Sequence, residues 1–230
     1  MAAHGRPAVD VLAELPLFRV LSQEGMSAAA RAGLSRSYAP GQTICQQGDP
    51  GDHLYAVMEG LVKVVFTSGR GDEIVLNLLG PQEIFGELAL LDGSPRSASV
   101  VALKSTSVFV LPRRQLLELM NFNPGLADEF LKLIGKLVRK LTEKAGDLAF
   151  LDLGGRLAKL LLQLSAGQGH VRDVVLDRGL TQTDLAGMIG ASRPAVNRAL
   201  QSLAARGLIA VHGRTIALLD LEALQRRSQL

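Results

Sequence analysis

From Pro124 to Leu151 the chain runs for 28 residues with apolar side chains at Ala127, Phe130, Ile134, Leu137, Leu141, Ala145 and Leu148. The steps of three and four make a helical stripe close to a 3.5-residue repeat, with one slip near Lys144. Pro124 suits the first turn, where a missing N–H costs nothing. At 1.5 Å per residue the helix is about 42 Å long. A second apolar row, with Leu126, Leu133 and Val138 in it, is available to pack against the rest of the chain. A helix this long and apolar on two faces needs a partner. A second copy of the chain, meeting it along Phe130, Ile134, Leu137, Leu141 and Leu148, is the economical one; burial inside a monomer is the other. Either way the helix divides the 230 residues into a body before it and a smaller module after it.

The body changes period partway. Val9–Leu17 and Ser27–Ser35 have helical apolar spacing. From Tyr38 onward, short β-prone runs alternate with turns at Gly41, Gly48–Gly51 and Gly60. LVKVVF, a polar turn TSGRGDE and IVLNLL read as a hairpin, and SVVALKSTSVFVLP as two strands ending at Pro112. Strands at this spacing predict a compact antiparallel roll or barrel rather than βαβ units.

Within the roll, FGELALLDGSPRSASV (85–100) concentrates chemistry. A tight backbone at Gly86 precedes Glu87 and an apolar run that starts with Leu88. A turn at Asp92–Pro95 then leads to Arg96 and Ser97 at the head of a strand. A guanidinium grips phosphate oxygens through parallel donors, amides near a turn add a nest for an anion, and a carboxylate accepts from a ribose hydroxyl. The same residues also fit a hairpin whose arginine pairs with Glu87 and binds nothing. The stretch resembles the phosphate-binding cassette of the cyclic-nucleotide-binding β-roll in the CRP/FNR family of bacterial regulators. The turn glycines 41, 48, 60 and 86 and the segment Asp52–Val57 extend that resemblance over the domain. It implies that Glu87 holds the ribose 2′-OH and that Gly86, Arg96 and Ser97 hold the cyclic phosphate, with Leu88 beside them. It also implies that Leu141 and Thr142 of the long helix face the base. The family sets two polar residues there, so leucine at 141 removes one polar contact.

Beyond the helix, FLDLGG carries two glycines and an aspartate suited to an N-cap, and reads as hinge and boundary. RLAKLLLQLS is an amphipathic helix and HVRDVVLD a strand. In LTQTDLAGMIGASRPAVNRALQSL, Thr181 and Asp184 make a capping box. Gly190 stands where a helix-turn-helix turns, and Ser192 caps a second helix. Val196, Leu200 and Leu203 then face inward, and Arg193, Asn197 and Arg198 outward. First-turn side chains of such a helix read base edges in the major groove, and arginine against guanine O6 and N7 is the commonest specific contact. LIAVHGRTIALL is a hairpin turning at His212–Arg214, a wing. A three-helix protein–protein module is the other reading of the pattern. The whole resembles the winged helix-turn-helix of CRP-like regulators, which implies DNA contacts by Thr181, Gln182, Ser192, Arg193, Asn197, Arg198 and Arg214. Pro194 stands where the family often has a glutamate that accepts from cytosine, so an inverted TGTGA–TCACA site should be relaxed at one position.

Charge supports a polyanion partner. Residues 153–230 hold 10 Lys/Arg against 5 Asp/Glu, whereas residues 1–152 hold 15 against 17. Cys45 is the single cysteine, which excludes an intrachain disulfide and a four-cysteine iron–sulfur cluster; it reads as a small buried hydrophobe rather than a redox sensor. His4, His53, His170 and His212 lack metal-ligand spacing. No run of about 18 apolar residues predicts a membrane span, and MAAHGRPAVD is not ordered like a secretory signal, so a cytoplasmic protein is expected. Glu87 has no nucleophile, metal set or second carboxylate near it in sequence, which argues against an enzyme. The expectation is therefore an α+β chain: a cyclic-nucleotide-binding β-roll with N-terminal helices over 1–123, a long dimerisation helix and hinge over 124–152, and a winged helix-turn-helix over 153–230. The resemblance implies cyclic AMP as effector, a homodimer on double-stranded DNA, and RNA polymerase as a further partner. Leu141 leaves open a regulator of the same fold that works without effector or senses another small molecule.

Overall fold

The computed structural model describes residues 8–167, 173–175, 180–213 and 215–229. The chain divides into two compact units, Met1–Thr67 with Asn77–Arg139, and Ser68–Leu76 with Lys140–Leu230.

In the first unit, α1 (Ala8–Glu14) and α2 (Gln23–Ala32) precede the strands, and Ser22 caps α2 by accepting from Gly25 N at 3.1 Å. Eight strands follow: β1 (Leu34–Tyr38), β2 (Thr43–Cys45), β3 (His53–Glu59), β4 (Val62–Thr67), β5 (Glu73–Leu79, of which 77–79 belong to this unit), β6 (Ile84–Phe85), β7 (Ser99–Ala102) and β8 (Thr106–Pro112). They form two four-stranded sheets, in the orders β1-β8-β3-β6 and β2-β7-β4-β5. Every pairing with a recorded register is antiparallel. Cys45, Tyr55, Val57, Val62, Phe85, Val100 and Val110 fill the space between the sheets. A second core packs α1, α2 and α4 (Arg113–Phe122) on the outer face, through Leu12, Phe18, Phe109 and Leu116. Between β6 and β7 lies the six-residue helix α3 (Glu87–Asp92).

The long helix is α5 (Pro124–Phe150), 27 residues and about 40 Å. Its two apolar rows differ from the sequence expectation at four positions: Leu131, outside the expected seam, is 64% exposed, and Leu137, expected in it, is half-buried, and the other two are Phe130 and Val138. Phe130, expected in the outer seam, is 3% exposed and joins Leu126 in the core of the first unit. Val138, expected to pack back on the body, is 56% exposed. The exposed row is Leu131, Val138, Leu141, Ala145 and Leu148, with Ile134 at its half-buried edge. Those positions fall at steps of three and four without a slip.

The second unit is built on α6 (Leu153–Gly167), α7 (Gln182–Met188), α8 (Arg193–Ala205) and α9 (Leu221–Arg227). Beside them lies a sheet of order β10-β11-β9, from Ile209–His212, Thr215–Leu218 and Asp173–Val175. Leu157, Leu161, Leu185, Val196, Leu203, Ile216 and Leu224 make its core. Asp152 precedes α6 as its cap: its Oδ1 accepts from Gly155 N at 2.6 Å. The glycines 154 and 155, read in sequence as a hinge, lie inside the first turn of α6.

Candidate functional site

Gly86 opens α3 with a left-handed backbone, φ 87°, and no side chain caps the helix. Only glycine fits twice over, because a Cβ there would run into Arg96 Nη1 as well as strain the backbone. Glu87 is the first residue of α3 and is half-buried, while Leu88 is exposed. The helix stops at Gly93, and Asp92 Oδ1 accepts from Ser94 N at 2.9 Å, which makes the expected turn. The chain then returns to Arg96, whose backbone is held on both sides: its N–H donates to Asp49 O, and its carbonyl accepts from Gly48 N. Ser97 is exposed beside it.

The Arg96 side chain is the unusual one. It is 5% exposed. Nη1 donates to Gly86 O at 3.0 Å and Nη2 to His53 O at 2.7 Å, while Nε is buried without a hydrogen-bond partner among the described residues. The guanidinium lies 5.3 Å from the centroid of the Tyr55 ring, which stacks in turn on its cross-strand neighbour Phe85 at 4.8 Å. No ion pair joins Arg96 to Glu87 among the described residues, so the hairpin with a self-paired arginine is not what forms. Burial pushes the Glu87 carboxyl above its usual range, against the smaller opposing effects of a backbone hydrogen bond and of Arg96. Burial also raises the Tyr55 hydroxyl and the Cys45 thiol, and it lowers His53, which the Arg96 charge lowers further. A buried cation with a donor to spare and a desolvated carboxylate thus share the two ends of α3 and its return loop. That pairing of groups fits an anion linked to a hydroxyl.

The sequence groups Gly86, Glu87, Arg96 and Ser97 within one short stretch, and the structure brings Gly86 and Arg96 into contact. The packing of Tyr55 and the His53 carbonyl on Arg96, both from β3, and of Phe85 on Tyr55 left no mark in the sequence. Leu141 and Thr142 stand on α5 in the second unit, both exposed.

In the second unit the capping box is present in full: Asp184 N donates to Thr181 Oγ1, and Thr181 N donates to Asp184 Oδ2. The Thr181 hydroxyl also donates to Asp184 Oδ2 at 2.6 Å, so its proton is spent on the cap. Gly190 turns the chain at φ 63°. Ser192 then caps α8, accepting from Ala195 N. Val196, Ala199, Leu200 and Leu203 face the core, which leaves Arg193 and Arg198 exposed and Asn197 half-buried; Gln182 is half-buried at the start of α7. Neither arginine makes an ion pair among the described residues. β10 and β11 pair antiparallel up to His212 and Thr215, with Gly213 at φ 61°. Arg214 lies outside the described residues.

Comparison with known proteins agrees with both halves. The cyclic nucleotide-binding domain family matches residues 35–123, and the Crp-like helix-turn-helix domain family matches residues 155–227. The chain is 32% identical over 227 residues to the CRP-like cAMP-activated global transcriptional regulator of Mycobacterium tuberculosis, covering 96% of this chain and 99% of that one. It is 34% identical over 211 residues to the cyclic AMP receptor protein of Thermus thermophilus, covering 91% and 95%. The structure of FixK2 from Bradyrhizobium japonicum shares the fold at a TM-score of 0.76 and 21% identity, covering 86% of this chain and 98% of that one. With a β-roll matched by the cyclic nucleotide-binding domain family before the long helix and a Crp-like helix-turn-helix after it, matched along nearly its whole length by such relatives, the chain belongs to the CRP/FNR family of DNA-binding transcriptional regulators.

Proposed function

We propose that the protein is a homodimeric regulator whose binding to a palindromic, TGTGA-like DNA site responds to cyclic AMP. The observation that carries the reading is the buried Arg96 guanidinium with its unpartnered Nε, set beside the desolvated Glu87. Arg96, Gly86 and Ser97 hold the cyclic phosphate, Glu87 the ribose hydroxyl, and Leu88 lies alongside. Thr142 and Leu141 meet the base. The names of the Mycobacterium and Thermus relatives support cyclic AMP as the nucleotide. The exposed row on α5 supplies the dimer seam, and the two free arginines of α8 supply the guanine contacts, with Gln182, Ser192, Asn197, Arg214 and the surface position of Thr181 beside them. The domains divide at 123 and 152. RNA polymerase is the further partner of the DNA-bound dimer.

A specific observation favours a second reading. Leu141 is apolar and 46% exposed where a polar base contact belongs, so the same fold could serve another small molecule or none. Titration calorimetry with cyclic AMP and cyclic GMP separates the two. Saturable binding of cyclic AMP, tighter than that of cyclic GMP, supports the first reading. Absence of binding to either supports the second.

A further inference from the structure

We propose that the end of α9 is a clasp on the joint between α5 and α6. Arg227 is then a positioning residue that fixes the angle at which the DNA-binding helices leave the long helix. Only Leu151 and Asp152 separate the two helices. The Asp152 carboxylate, in the joint itself, is tied to α6 and to α9: Oδ1 caps α6 through Gly155 N, and Oδ2 accepts from Arg227 Nη2 at 2.9 Å.

The glycines complete the contact. A Cβ on Gly154 would come within 2.6 Å of Arg227 Nη2 and 2.9 Å of Nε, and one on Gly155 within 2.8 Å of the Arg227 carbonyl oxygen. Neither glycine has a left-handed backbone. What the pair supplies is room for a guanidinium laid against the first turn of α6, rather than freedom to swivel. Among the described residues the Arg227 Nε is buried there without a hydrogen-bond partner.

The far end of the clasp is anchored. Leu224 of α9 is fully buried in the same core as Leu157 and Leu161, and Asp220 caps α9 through Ala223 N. A second ion pair, Lys159 Nζ to Asp147 Oδ1 at 2.6 Å, spans α5 and α6 directly. A lysine at 227 would keep the charge but not the flat face that lies on Gly154.

The consequence for DNA rests on the homodimer reading above, because two α8 helices with a fixed exit angle select one half-site spacing. The test uses the full chain, saturated with cyclic AMP, on palindromes whose half-sites are moved by one and two base pairs either way. Arg227→Gln and Asp152→Asn both remove the ion pair, and the asparagine keeps the α6 cap. The parent should prefer one spacing. Both variants and Arg227→Lys should lose about two- to fivefold at that spacing, the range for a partly exposed ion pair, and little at its neighbours, and the Gln/Asn double variant should be no worse than either single one. Variants that keep the parent's profile, or lose equally at every spacing, overturn the clasp. A parent that binds single half-sites as tightly as palindromes overturns the dimer reading instead. Amide exchange at Gly155 and Arg156 without DNA then decides: faster exchange in Arg227→Gln supports the clasp, and unchanged exchange overturns it.

Discussion

Arg96 and Glu87 are both desolvated before any ligand arrives, and this sets what their replacement should do. Arg96 is a full positive charge in a buried place, and its loss to alanine should cost about 2–5 kcal/mol of cyclic-nucleotide affinity, the range for truncating one partner of a buried charged contact. Calorimetry reads this directly, and equal affinity in mutant and parent would remove Arg96 from the site. Glu87 carries the opposite balance. Its pKa in the folded protein lies above the unfolded value because burial disfavours the carboxylate. The folded state therefore holds more protons than the unfolded state between those two values, and its stability falls as pH rises through that window. Glu87→Gln should remove the penalty, raising the thermal midpoint of the ligand-free protein at pH 7 and flattening its dependence on pH. The same change turns a charged hydrogen bond into a neutral one and should weaken cyclic AMP by about 1 kcal/mol. A midpoint lowered by the substitution would contradict the assignment of burial as the dominant effect. At the base, Leu141→Thr should raise the preference for cyclic AMP over cyclic GMP by roughly tenfold, the size of one neutral hydrogen bond. An unchanged ratio would mean that residue 141 does not face the base.

At the scale of elements, α5 separates two jobs that its sequence runs together. Phe130 is core, so Phe130→Ala should destabilise the first unit by about 3–5 kcal/mol and leave association intact. Leu131 and Val138 are exposed, and replacing both with aspartate should give folded monomers by analytical ultracentrifugation. A dimer that survives the pair would place the seam elsewhere. The 3.5-residue repeat was legible in the sequence; which row faces the body was not, because periodicity records spacing and leaves the direction of burial to the partner that packs. The longer strands after β1, the capping box, the Gly190 turn and the wing were legible for local reasons, each carried by a turn residue or a cap; β1 (Leu34–Tyr38) was not, since Leu34 and Ser35 continue the apolar spacing of the helix before it. The helices α4 and α9 were not. α4 follows Pro112 with no side-chain cap, and α9 is seven residues beginning at Leu221, directly after the wing and too short for a periodic signal. The cassette was readable as a motif. Its aromatic floor was not, since Tyr55 and Phe85 meet only through the pairing of β3 with β6, and a main-chain carbonyl such as that of His53 leaves no mark in a sequence.

For the whole molecule, the proposed function couples a nucleotide site in one unit to a DNA-reading helix in the other. Such a joining is a coupling free energy and acts equally in both directions. Coupling of this kind amounts to about 1–3 kcal/mol, or roughly 5–150-fold in affinity. On the proposed reading, Arg193 and Arg198 would set which DNA is bound, and the coupling would set when. The measurement that tests this most directly is the affinity of the protein for one palindromic TGTGA-type duplex, by fluorescence anisotropy at fixed salt, with and without saturating cyclic AMP. Cyclic AMP should tighten DNA binding at least fivefold, and the duplex should tighten cyclic AMP binding by the same factor. Equal DNA affinity in its presence and absence, with calorimetry showing the nucleotide bound, would contradict it.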